Sequence, residues 1–144
     1  MKVFFLLGPN LGALGRRDPG TYGTQTLDQV REQVEATAGR LGHEVGWRQS
    51  DAEGDLVRAL LAAPADGYGA VVLNPGALSH YSYAVRDAVE ACGLPVIEVH
   101  MSNIHARDEF RRRSVVSAAC RGVITGLGAG GYHLALEALP WISS

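Results

Sequence analysis

Residues 70–100 read AVVLNPGALSHYSYAVRDAVEACGLPVIEVH. A short apolar run at 70–73 meets a turn at Pro75 and Gly76, a helical pattern fills 82–92 until Gly93 stops it, and a second apolar run follows at 95–99. Near-continuous apolar strands separated by a helix belong to a parallel sheet covered on both faces, because right-handed crossovers lay each helix on one face or the other.

The same alternation extends outward. Apolar runs at 3–7 and 122–125 and a more polar one at 44–48 complete five strands, and helical patterns occupy 27–41, 52–63 and 132–139. Thr26, Leu27, Asp28, Gln29 supplies a capping box ahead of the first helical pattern, 27–41, which Gly42 ends. The order β-α-β-α-β-α-β-(loop and short helix)-β-α, with no internal repeat or linker, predicts a flavodoxin-like, doubly wound five-stranded parallel sheet in three α/β/α layers.

At 144 residues, 47% hydrophobic and 19% charged, with mean hydropathy +0.02, the chain suits one globular domain over 1–144 with one continuous core. A formal net charge of -2 and no lysine-rich tract give no electrostatic reason for a nucleic-acid or membrane-surface partner. The apolar start is about six residues and no run approaches the roughly 20 that span a bilayer, so a cytoplasmic location is expected. Cys92 and Cys120 form no CxxC and are read as reduced structural thiols.

Open α/β sheets bind ligands beyond the carboxyl ends of their strands. Here those ends release GPN, QSDAEGD, NPGALSH, HMSNIHARDEFRRR and GLGAGG, so polar and glycine-rich residues gather on one edge. The segment 8–24, GPNLGALGRRDPGTYGT, exceeds an ordinary βα loop and is expected to be an active-site loop with little regular structure. It carries Arg16, Arg17 and Tyr22; a guanidinium near a phenol favours the phenolate and makes it a base. Spacing alone favours the plainer case of a surface ring with solvated arginines.

Glu98 and His100 alternate with apolar residues and therefore share a face of their strand. A carboxylate beside an imidazole orients the ring and stabilises its protonated form, as general acid catalysis requires; a satisfied polar pair at a strand end fits equally. Met101 and Ser102 can offer backbone amides to a carboxylate, Asn74 and His80 can hydrogen-bond hydroxyls or carboxylates, and one of Arg111, Arg112 and Arg113 can point inward, though their spacing does not select it. GLGAGG fits G-x-G-x-x-G, but only 13 residues follow it, too few for a second strand and a ribose-binding acid. Tight turning and close helix packing explain those glycines, and no cofactor is expected. His43, His105 and His133 are too scattered for a metal site.

Five ordered blocks, GPNLGALGRRDPGTYG, WRQSDAEGDLV, VLNPGALSHYSYAVRDAV, PVIEVHMSNIHARDEFRRRSVVS and GVITGLGAGGYHLAL, make the chain resemble type II 3-dehydroquinate dehydratase over nearly its full length. The resemblance implies a flavodoxin-like protomer in a homododecamer of four trimers, and a cofactor-free dehydration of 3-dehydroquinate to 3-dehydroshikimate in the shikimate or quinate pathway. It makes Tyr22 the base, Arg17 the guanidinium that lowers its pKa, and Asn10 the holder of a water that stabilises an enolate. His100, oriented by Glu98, becomes the general acid. Asn74 with the backbone of Met101 and Ser102 holds the substrate carboxylate, His80 and Arg111 bind ring hydroxyls, and Asp87 reaches a neighbouring subunit's site.

The chain departs from the family pattern at Leu7, where asparagine is common, at Met101, where isoleucine or leucine is usual, and at Tyr81, where a small residue often stands. Tyr81 is expected to crowd the pocket or to fill a subunit contact. A flavodoxin-like module that binds a small carboxylate without turnover is the other function considered, and an FMN electron carrier is the third, although nothing after the first strand resembles a phosphate loop.

Overall fold

The structure, a computed structural model, describes residues 1–142. Ser143 and Ser144, which the single-domain expectation includes, lie outside the described residues. Five strands, β1 (Lys2–Leu7), β2 (Glu44–Gln49), β3 (Ala70–Asn74), β4 (Val96–His100) and β5 (Gly122–Thr125), form one parallel sheet in the order β2-β1-β3-β4-β5. The flavodoxin-like expectation holds. The polar run at 44–48 lies at a sheet edge, where half-exposed backbone tolerates polar side chains.

Helices α2 (Leu27–Arg40) and α5 (Gly130–Ile142) cover one face, with Val30, Val34, Tyr132 and Leu136 packed on Val3, Phe5, Val72 and Val99. On the other face, α3 (Glu53–Ala62) and α4 (Tyr83–Cys92) pack Leu56, Leu60, Val85 and Val89 on Phe4, Leu6, Val71 and Leu73. Strand alternation sends neighbouring residues to opposite cores, which is why β1 needs an almost unbroken apolar run. The capping box is formed: Thr26 Oγ1 accepts from the Gln29 amide, and the Gln29 side chain accepts from the Thr26 amide.

Two segments differ from expectation. α5 starts in the glycine turn and continues past Pro140, so it is longer than 132–139. The 8–24 loop is not free of regular structure: a 3₁₀ turn covers Leu11–Ala13 and a one-turn helix, α1, covers Pro19–Tyr22. Pro19 occupies the first helical position, where its missing N–H costs nothing and its fixed φ favours the turn. The Asp18 carbonyl then accepts from the amides of Thr21 and Tyr22, which aims the Tyr22 ring.

β2 lies to one side of β1 and β3 to the other, so the winding reverses between β1 and β3. At this switch point Gly8 donates to the Asn74 carbonyl at 2.8 Å. A Cβ on Gly8 would stand 2.6 Å from the Pro75 carbonyl oxygen, so the first residue beyond β1 must be glycine for the two strand ends to close.

Candidate active site

The ends of β1, β3 and β4 and the loop after β1 line a partly open pocket. Arg17 and Tyr22 enter it from the loop, Asn74 and His80 from the β3 end, His100, Met101 and Ser102 from the β4 end, and Arg107 and Arg111 from the connection to β5. Residues remote in sequence thus meet where an open parallel sheet is expected to bind its ligand.

Tyr22 is held by two guanidinium groups. Arg17 lies over the ring face, with its central carbon 4.3 Å from the ring centroid. Arg107 makes the contact at the oxygen: its Nη1 donates to Tyr22 Oη at 2.7 Å and to Ser102 Oγ at 3.1 Å. Arg107 thus makes a direct charge-assisted hydrogen bond to the phenol oxygen, while Arg17 covers the ring.

Glu98 and His100 share a face of β4, and His100 Nε2 sits 2.6 Å from Glu98 Oε2. Glu98 is wholly inaccessible to solvent and His100 is 5% exposed. Three groups surround the carboxylate: His100 Nε2 lies against Oε2, Ser117 Oγ donates to Oε2 at 3.0 Å, and Ser114 Oγ donates to Oε1 at 3.1 Å. Both oxygens of the buried carboxylate are therefore hydrogen-bonded.

His80 Nδ1 lies 2.8 Å from the Arg113 carbonyl oxygen. A carbonyl only accepts, so Nδ1 carries the hydrogen and Nε2 remains an acceptor for a ligand hydroxyl. Burial holds His80 below the ordinary imidazole range, partly opposed by its hydrogen bond to the Arg113 carbonyl. Of the three consecutive arginines, Arg111 alone lines the cavity; its guanidinium lies over the Phe110 ring at 4.6 Å and its Nε is 3.5 Å from Asp108 Oδ2.

Asn74 is 3% exposed and braced from both ends of its amide: Nδ2 donates to Tyr132 Oη at 2.8 Å, and Oδ1 accepts from the Gly76 amide at 3.1 Å. The β4 end is backed by the glycine turn before α5, where Gly126 donates to the His100 carbonyl at 3.2 Å and Gly128 to that of Met101 at 2.9 Å. A Cβ on Gly126, whose φ is +89°, would crowd Asn103 Cβ at 3.1 Å. The glycine run thus supports the site's backbone.

Three expected site residues do not line the cavity: Glu98, which lies behind His100, and Asn10 and Asp87. Asn10 is exposed between cavity-lining Pro9 and Leu11, has a left-handed φ of 69°, and donates its amide to Asp51 Oδ1 at 2.9 Å. Asp87 is exposed on α4 and lines no part of this cavity. Among the departures, Leu7 is buried in the α2/α5 core, Met101 is buried and lines the cavity, and Tyr81 is 62% exposed and does not enter it.

The sequence profile of the family Dehydroquinase class II matches residues 1–140. The chain belongs to this family. A 3-dehydroquinate dehydratase of Deinococcus radiodurans is 52% identical over 137 residues, covering 95% of this chain and 96% of the relative. One from Salinispora tropica is 55% identical over 139 residues, covering 96% of each. The crystal structure of the type II dehydroquinase of Propionibacterium acnes superposes with a TM-score of 0.91 at 46% identity, covering 99% of this chain and 95% of that one. That of Butyrivibrio crossotus gives 0.94 at 38% identity, covering 97% of each.

For this class II dehydroquinase sequence, the residue that pattern reading passed over is Arg107. It lies 85 positions from Tyr22 in HARDEFRRR, where attention goes to the triple arginine and no periodicity marks an inward side chain. Its place directly after the 3₁₀ turn Ile104–Ala106, on the ligand edge, was the available signal. Among the described residues, no group of three metal-binding side chains occurs and no helix is long and apolar enough to cross a membrane.

Proposed function

We propose that this protein is a lyase that dehydrates 3-dehydroquinate to 3-dehydroshikimate without a cofactor, by anti elimination through an enolate. The observation that carries it is the meeting in one cavity of a phenol bonded to a guanidinium and an imidazole bonded to a buried carboxylate. One group can take a proton while the other gives one, which is what loss of water beside a ketone requires.

Tyr22 is the base. As the tyrosinate, held by Arg107 and covered by Arg17, it removes a proton from C2, next to the ketone, and the electrons pass into the enolate. His100, held by Glu98, then protonates the C1 hydroxyl as it leaves, and collapse of the enolate forms the enone. The Met101–Ser102 backbone and Asn74 hold the substrate carboxylate, while His80 and Arg111 bind ring hydroxyls. Asn10 holds a water at the enolate oxygen; this role requires the start of the loop to turn inward when substrate binds.

The catalytic unit is a single domain over 1–144 with the active-site loop at 8–24, working in the cytoplasm in the shikimate pathway. The protomers assemble as a dodecamer of four trimers in which Asp87 reaches a neighbour's site. Exposed Tyr81, Tyr83 and Phe110, each 58–62% accessible in the protomer, supply apolar surface for such contacts. Mass in solution tests the assembly.

The conjugated enone absorbs in the ultraviolet, so purified protein should raise absorbance when given 3-dehydroquinate. Tyr22→Phe should lose nearly all turnover and keep substrate affinity. No absorbance rise with the unaltered protein would refute the activity, and full activity in Tyr22→Phe would refute the base.

A further inference from the structure

Glu98 is wholly inaccessible to solvent, and two serine hydroxyls donate to its carboxylate. We infer that Ser114 and Ser117, on the segment entering β5, are positioning residues for proton transfer at His100: they hold the Glu98 carboxylate so that His100 keeps its hydrogen on Nε2 and presents Nδ1 to the substrate. The inference rests on the elimination proposed above.

The direction of each hydrogen bond follows from chemistry. Ser114 Oγ accepts from the amides of Val116 and Ser117, both at 3.2 Å, so its oxygen is occupied and its hydrogen goes to Glu98 Oε1. Ser117 Oγ lies 3.0 Å from Oε2, the oxygen that also faces His100 Nε2. Both serines therefore donate to the carboxylate, and the ionised Glu98 accepts from His100 Nε2 as well, so that all three contacts are hydrogen bonds.

The consequence reaches the ring. An anionic Oε2 requires a hydrogen on Nε2, which fixes the tautomer of the neutral imidazole and leaves Nδ1 as its exchanging nitrogen. Because Oε2 is shared, the Ser117 hydroxyl also prevents the carboxylate from rotating toward the ring or away from it. With Ser117 gone, the carboxylate retains one fixed oxygen and can swing about it. The segment is itself tied down: the Val115 amide donates to the Ser79 carbonyl at 2.7 Å, and the Arg113 carbonyl accepts from His80. The hydroxyl pair is therefore anchored to the same turn that carries His80, so the acid and the hydroxyl-binding imidazole share one support.

Ser117 is the residue to test, since Ser114→Ala would also release two backbone amides. Loss of a hydrogen bond to a charged group predicts that Ser117→Ala lowers kcat about tenfold with KM changed by less than about twofold, and that Ser117→Thr, which keeps the hydroxyl, restores kcat to within about threefold. Nitrogen-15 spectra of histidine-labelled protein should show His100 as the Nε2–H tautomer in the unaltered protein and as a tautomer mixture in Ser117→Ala. Unchanged kcat in Ser117→Ala, or an Nδ1–H tautomer in the unaltered protein, would overturn the inference. So would a loss of kcat that threonine does not restore while the tautomer stays fixed, because that pattern belongs to packing. If the unaltered protein fails to turn over 3-dehydroquinate, the activity falls, and the spectra still decide whether the serines set the tautomer.

Discussion

Removing Arg107 is the sharpest perturbation of the proposed base. Its Nη1 spans Tyr22 Oη at 2.7 Å and Ser102 Oγ at 3.1 Å, and its guanidinium carbon is 5.3 Å from the ring centroid. A guanidinium about 4 Å from a phenolate gains roughly 4 kcal/mol at the effective dielectric of a partly wet protein site, which sets a ceiling. Measured hydrogen bonds to charged groups contribute about 1.5–3 kcal/mol, or about 10- to 150-fold in rate when the charge is needed for reaction. Arg107→Ala should therefore lower kcat within that range. Arg17, stacked 4.3 Å over the ring, retains part of the favourable field and prevents complete loss. Arg107→Lys keeps the charge but not the planar fork that spans two oxygens, so its kcat should lie between those of the alanine variant and the unaltered protein. Steady-state turnover followed by enone absorbance gives both constants. A kcat for Arg107→Ala within twofold of the unaltered protein, or a loss confined to KM, would refute a role for Arg107 at the phenol oxygen.

Three further outcomes concern stability. Tyr132 is buried and its phenol is pushed up from 10 to about 12 by that burial, so the neutral form is favoured in the fold. The raised value makes its contribution, about 3 kcal/mol, complete below pH 10 and lost as pH climbs toward 12. Cys120, pushed by burial from 9 to about 12, adds a decline of the same sign that begins lower. Urea unfolding between pH 8 and 11.5 should show a shallower alkaline decline for Tyr132→Phe than for the unaltered protein, and equal declines would dismiss the tyrosine as a cause. At pH 8 the same variant should cost about 1–3 kcal/mol, because Asn74 Nδ2 loses its buried partner. Gly8→Ala should cost about 1–3 kcal/mol through its clash with the Pro75 carbonyl, and an unchanged thermal midpoint would show that the strand ends can separate freely.

The local marks of this fold were legible because they are local. The apolar run of β1 serves two cores, the Thr26–Gln29 capping box closes as its residue types allow, and the polar run at 44–48 is an edge strand. Glu98 and His100 had to share a face since strand side chains alternate, and their contact follows from that geometry. The resemblance carried in the five sequence blocks named Tyr22, Arg17 and the β4 pair, and all of these line or back one cavity.

What the sequence by itself determined, then, is the alternation of strands and helices and the edge on which polar groups collect, because periodicity, caps and turns act within a few residues. Only the tertiary structure decided which of Arg111, Arg112 and Arg113 enters the cavity, that Arg107 meets Tyr22 across 85 positions, and that Tyr132 braces Asn74 across 58. It also turned Asn10 outward toward Asp51 and gathered Ser114 and Ser117 around Glu98. The physical reason is common to all of these. A guanidinium or hydroxyl is equally content with water or with a protein partner until packing brings a specific oxygen within about 3 Å, and no pattern along the chain encodes that approach.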